Sequence, residues 1–165
     1  MMDLKTVDRQ PVRVACLRYT GPFGPAIGEF WRDNVHPWLA ANQLNVATYG
    51  LALDDPSSTP AETLRYDACA EVKVDFHGSG LYHLAIVPGG KYAVATFKGT
   101  AAEIGTAWGE VMGQALPASG HTVDTTRMPF EHYAKDFKED PETGVFACEL
   151  CVPIASDEQA ASPTA

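Results

Sequence analysis

Apolar and polar residues alternate along much of this chain. "VRVACLRY", "VATYGLAL" and "TLRYDACAEV" in the first half are rich in β-branched and aromatic residues, and so are "LYHLAIV", "KYAVATFKG", "MPFEHY" and "GVFACELCVPI" in the second. Bounded by Gly, Pro and Asp clusters, these segments predict strands. Two stretches have a different spacing. In "GPFGPAIGEFWRDNVHPWLAAN" the residues Phe23, Ile27, Phe30, Trp31 and Trp38 recur at helical intervals, and in "TAAEIGTAWGEVMGQALPASG" the residues Ile104, Ala107, Trp108, Val111 and Ala115 form an apolar stripe. Pro37 is expected to kink or end the first helix early. Residues 1–10 and 155–165 are polar or small and read as tails, leaving one domain over residues 11–154.

The two halves run in parallel. "VACLRYTG" leads into the helix carrying Trp31, and "VATFKG" leads into the helix carrying Trp108. Each strand ends aromatic, polar, glycine. A degenerate duplication of a β-α-β-β unit accounts for this. The expected fold class is α+β: tandem units joined in an antiparallel sheet, two helices on one face, and a cleft between the units.

Charge and composition narrow the function. At 165 residues the chain suits a single core. A net charge of −9 opposes a nucleic-acid surface, which needs clustered Lys and Arg. No stretch reaches the roughly 18 apolar residues of a spanning helix, and "MMDLKTVDRQ" lacks the order of a secretory signal. Cys16, Cys69, Cys148 and Cys151 sit among strand residues and read as reduced, buried thiols, pointing to the cytoplasm. In a strand, the C-x-x-C pair Cys148 and Cys151 faces opposite ways. His36, His77, His83 and His121 have no ligand spacing, so neither a metal nor a cofactor is expected. Arg65 and Asp67 share a strand face and read as members of structural ion pairs. No nucleophile elbow and no phosphate loop is present.

One residue breaks the strand pattern. In "RMPFEHYAKD", Glu131 stands where an apolar residue is expected. Alternation gives it the same face as Tyr133 and turns His132 the other way. Three readings compete: a solvated edge residue, a hydrogen-bonded structural carboxylate, or a counter-charge for a ligand. Burial without a fixed partner would raise its pKa. Trp108 reads either as core or as a pocket wall, and Tyr49, Tyr66 and Tyr92 each either line the cleft or pack beneath a helix.

The stretch "DDPSSTPAETLRYDACAEV", followed in order by "GGKYAVATFKG", the tryptophan-bearing second helix, "PFEHY" and "CELCVPI", resembles GyrI-like proteins over residues 10 to 154. That family includes a gyrase-inhibitory protein and the effector-binding domains of bacterial AraC-type and MerR-type multidrug regulators. The resemblance implies a tandem β-α-β-β fold and a pocket glutamate at Glu131, with Phe146 and Trp108 as aromatic walls. Tyr133, Tyr92 and Tyr49 complete the expected ligand-binding set. The implied function is stand-alone binding of lipophilic, cationic or planar aromatic small molecules, for sensing, sequestration or resistance. Almost nothing precedes the first strand, so direct DNA binding is not expected, and neither is a membrane role. Two alternatives stay open. In a hydrolase of strained cyclopropane-type electrophiles, Glu131 would be catalytic and activate water. In a gyrase-inhibitor-like role, the acidic surface would meet a protein partner.

Overall fold

The computed structural model describes residues 2–156. Among them, β1 (Lys5–Arg9), β2 (Val12–Thr20), β3 (Thr48–Ala52), β4 (Arg65–Glu71), β5 (His83–Val87), β6 (Gly90–Gly99), β7 (Phe130–Tyr133) and β8 (Phe146–Pro153) form one sheet. All its pairings are antiparallel, in the order β1-β6-β8-β7-β3-β4-β2-β5. Helix α1 (residues 25–41) lies between β2 and β3, and α2 (residues 104–119) lies between β6 and β7. The α+β duplicated architecture is the one the sequence predicts, with a leading strand added to each unit. These leading strands are exchanged: β1 pairs with β6 of the other half, and β5 pairs with β2. The strand order therefore reads the same from either edge when the halves are interchanged.

The expected tail over residues 1–10 is corrected by β1. Val7 is its one apolar inward residue, and Lys5, Asp8 and Arg9 give it the look of a tail. Such charges suit an edge strand, where they discourage pairing with other chains. The tail expected over residues 155–165 lies, beyond Ser156, outside the described residues.

Both helices accommodate a proline by the same device. A π-helical turn, Trp31–Val35 in α1 and Val111–Ala115 in α2, directly precedes His36-Pro37 and Leu116-Pro117. The His36 N–H reaches the Trp31 carbonyl, and the Leu116 N–H reaches that of Val111. Proline lacks an N–H and its ring crowds the carbonyl four residues back, and a widened turn relieves both conflicts. Pro37 therefore does not end α1, which runs on to Ala41.

The helices share one sheet face because the strands beneath them are lined with small residues. Ala15, Ala68 and Ala70 lie under α1, and Ala93 and Ala95 lie under α2. The opposite face curls onto itself and gathers residues from every strand, with Tyr49, Tyr92 and Phe130 at its centre. Phe130 packs edge-on against Tyr49 and Tyr92, with ring centroids 5.6 and 5.2 Å away. Cys148 and Cys151 fall into the two different cores, as strand alternation requires. Among the described residues, no helix is long and apolar enough to cross a membrane.

Replacing Phe130, 1% exposed, with alanine should destabilise the fold by about 3–5 kcal/mol. Urea unfolding measures this, and a loss below about 1 kcal/mol would mean that the curled interior is loosely packed.

Candidate functional site

The two halves meet where β3 pairs with β7, and at that seam Glu131 lies opposite Gly50. Glycine is required there for space. A Cβ on Gly50 would collide with the Tyr66 hydroxyl and approach Glu131 Oε1 to 2.8 Å.

The carboxylate is held by three neutral donors. The Tyr133 hydroxyl donates to Oε1 at 2.8 Å and the Tyr66 hydroxyl to the same oxygen at 3.2 Å. Trp108 Nε1 donates to Oε2 at 2.9 Å. Trp31 Nε1 in turn donates to the Tyr66 hydroxyl at 3.1 Å. Its ring meets that of Tyr133 edge-on, 5.5 Å between centroids. Trp31 and Tyr66 come from the first half, and Trp108, Glu131 and Tyr133 from the second. Each half thus supplies one indole and one phenol to the network around the carboxylate, Trp31 acting through the Tyr66 hydroxyl.

Among the described residues, no cationic side chain contributes. Burial pushes the Glu131 pKa above the usual carboxylate range, and the hydrogen bonds from Trp108, Tyr133 and Tyr66 offset this only in part. The Tyr66 and Tyr133 hydroxyls are raised well above their ordinary value by burial first, then by the adjacent carboxylate. Glu131 is enclosed by protein yet keeps part of its surface accessible, as do Trp31 and Trp108. Two open cavities, of about 250 and 370 Å³, lie elsewhere, one beside Arg127 and Gly90 and the other beside Lys5 and Thr96.

The structure sorts the expected residues into three groups. Trp108 and Tyr133 touch Glu131. Phe146 is one ring further back, 6.1 Å from Tyr133 between ring centroids, packed with Phe97 and Phe137. Tyr49 and Tyr92 are corrected: both are buried on the opposite face, where their hydroxyls donate to Glu71 Oε1 at 2.7 Å and to the Pro88 carbonyl at 2.6 Å. Their strand parity differs from that of Glu131, so neither reaches it. His132 also points away, its Nδ1 2.9 Å from Glu149 Oε1. Arg65 and Asp67 belong to ion pairs with neighbours, Asp54 at 2.9 Å and Arg18 at 2.8 Å.

Three contributors, Tyr66, Trp31 and Gly50, are absent from the expected set. Tyr66 was open to discovery, because alternation between Arg65 and Asp67 turns it toward the helices. Trp31 was signalled by its likeness to Trp108 across the duplication.

Comparison with known proteins agrees with this fold. Residues 2–155 match the GyrI-like small molecule binding domain, and the chain belongs to that family. It is 31% identical over 158 residues to a DNA gyrase inhibitor of Edwardsiella ictaluri, covering 93% of this chain and 98% of that protein. The EcmrR C-terminal domain superposes with a TM-score of 0.72 at 14% identity, over 94% of this chain and 99% of its own. SAV2435, solved bound to tetraphenylphosphonium, superposes with a TM-score of 0.64 at 17% identity, over 95% and 96%.

Gly50→Ala should cost about 1–3 kcal/mol through overpacking. Adding Tyr66→Phe should recover part of that loss by removing the hydroxyl in the way. Chemical denaturation of the single and double variants measures both, and an unaffected Gly50→Ala would contradict the packing described. The raised Glu131 pKa has a definite sign. The folded state holds this proton more tightly than the unfolded chain, so stability falls as pH rises from the ordinary glutamate range through the raised value. Relative to Glu131→Gln, the native chain should lose stability over that interval, and denaturation across a pH series reads the slope.

Proposed function

We propose that this protein is a receptor for lipophilic organic cations, which insert between Trp31 and Trp108 and bring their positive charge to Glu131. One observation carries the reading: an enclosed carboxylate, held by neutral aromatic donors and lacking a cationic partner, lies at the seam between two helices. A bound cation would supply the missing counter-charge. Contact of the cation with the indole and phenol faces would add about 0.5–2 kcal/mol. The partly accessible indoles are the walls that part to admit it, and Phe137 and Phe146 extend the aromatic surface behind Tyr133. Membership of a small-molecule-binding family supports the reading, as does a fold shared with a protein solved bound to a phosphonium cation.

Tetraphenylphosphonium is the natural probe. Its titration should quench the tryptophan fluorescence to saturation with one ligand per chain. Glu131→Gln should weaken binding about 10–100-fold, the effect of losing roughly 1.4–2.8 kcal/mol, while Glu62→Gln, an exposed acid, leaves it unchanged. Equal affinity in the native and Glu131→Gln chains would end the proposal.

A further inference from the structure

The face opposite Glu131 carries a second group of reactive side chains. Cys16 of β2 lies across from Cys69 of β4 on one side and His83 of β5 on the other. Its Sγ, a carboxylate oxygen of Asp67 and a ring nitrogen of His83 all lie within 4.8 Å of one another. The register brings in a fourth donor. Gly21 N–H bonds to the Leu64 carbonyl and Val72 N–H to that of Arg13, which fixes the hydrogen-bonded pairs between β2 and β4. Cys16 and Cys69 therefore form one of the intervening, non-hydrogen-bonded pairs, whose side chains stand closest. Cys69 thus stands directly across from Cys16, beside the group of three that lie within 4.8 Å of one another.

We infer that Cys16, Cys69, Asp67 and His83 form a binding site for a thiophilic divalent cation of the zinc class. Two thiolates, an imidazole and a carboxylate are a donor set suited to tetrahedral zinc. Ligands at ~2.0–2.3 Å from such an ion stand ~3.3–3.8 Å apart, a spacing that Cys16, Asp67 and His83 approach at within 4.8 Å, and Cys69 joins them by turning its side chain from across the strand pair. His83 Nε2 is 3.0 Å from Asp67 Oδ2, so a modest opening of that contact seats the ion between them. Arg18 holds Asp67 from behind, its Nε 2.8 Å from Oδ1 and its Nη2 3.1 Å from Oδ2. This support orients the carboxylate and matches the charge: with two thiolates, one carboxylate, one dication and the guanidinium, the assembly is neutral. The two cysteines are buried, while the His83 and Arg18 side chains are each 42% exposed, which leaves a route from solvent on the histidine side.

The ligands come from three strands, and only Asp67 and Cys69 are near each other along the chain. The site is also separate from the aromatic cage, because Asp67 and Tyr66 are neighbours facing opposite sides of β4.

Cobalt(II) is the probe, added to the reduced, metal-stripped full chain. The expected result is one tightly bound ion per chain, with a thiolate-to-cobalt charge-transfer band and a tetrahedral d–d spectrum, both displaced by one equivalent of zinc. Cys16→Ser and Cys69→Ser should each roughly halve the charge-transfer band, and the double variant should abolish it. His83→Ala, at a half-exposed position where folding is secure, should weaken binding more than tenfold. Cys148→Ser, buried in the other core, should leave the spectrum unchanged. A folded chain that gives no charge-transfer band overturns the proposal, as does a band that survives unchanged in His83→Ala or is lost in Cys148→Ser.

Discussion

The arrangement of this molecule depends on one enclosed carboxylate held by neutral groups from both halves. Removing a carboxylate from water without a counter-ion costs several kcal/mol unless hydrogen bonds replace its hydration. Three donors do so in part, two of them phenols and one an indole. Each donor comes from a different element: Tyr66 from β4, Trp108 from α2 and Tyr133 from β7. The cage can therefore exist only where the duplicated units meet. Gly50 completes it by contributing no side chain at the point where Tyr66 and Glu131 converge.

The duplication gives this seam its shape. A strand order unchanged by exchange of the halves places β3 beside β7 on the pseudo-twofold axis, and the two helices above it. The π-helical turns belong to the same plan. They occur at equivalent places, each just ahead of a proline, and so each helix continues past a residue that would otherwise break it. Aligned on these prolines, Trp31 and Trp108 are one helical turn apart. The two indoles therefore approach the carboxylate at different heights, and only Trp108 touches it, while Trp31 reaches it through the Tyr66 hydroxyl.

Much of this was legible in the chain. Period-two and helical spacings located both helices and every strand except β1, whose charged composition is what an edge strand and a tail have in common. Glu131 was identifiable as a polar residue in an apolar strand, and its sharing of a face with Tyr133 followed from parity alone. Parity within one strand, however, says nothing about parity between strands. Tyr49 and Tyr92 were assigned to the cleft for their aromatic character, and only the register, which pairs Tyr49 with His132 rather than with Glu131, sends Tyr49 to the other face. The cluster of Cys16, Asp67, Cys69 and His83 was hidden for the same reason, since only the cross-strand register brings Cys16 and His83 to the Asp67–Cys69 pair of β4.

The choice of neutral donors bears on what the cage can do. An arginine beside Glu131 would satisfy the carboxylate permanently, in the way that Arg65 pairs with Asp54 elsewhere in the molecule. The charge would then be spent within the protein, and an incoming cation would have to displace a covalently tethered competitor. Tyrosine and tryptophan instead supply hydrogen bonds without charge, which keeps the carboxylate intact while leaving its electrostatic demand unmet. Their flat faces also present surface that attracts cations weakly and apolar groups strongly. On the function proposed above, the same substitution of aromatic donors for a counter-ion would let the site accept differently shaped cations. A ring can tilt to a new angle and still offer its face, whereas a bidentate guanidinium is restricted to one geometry.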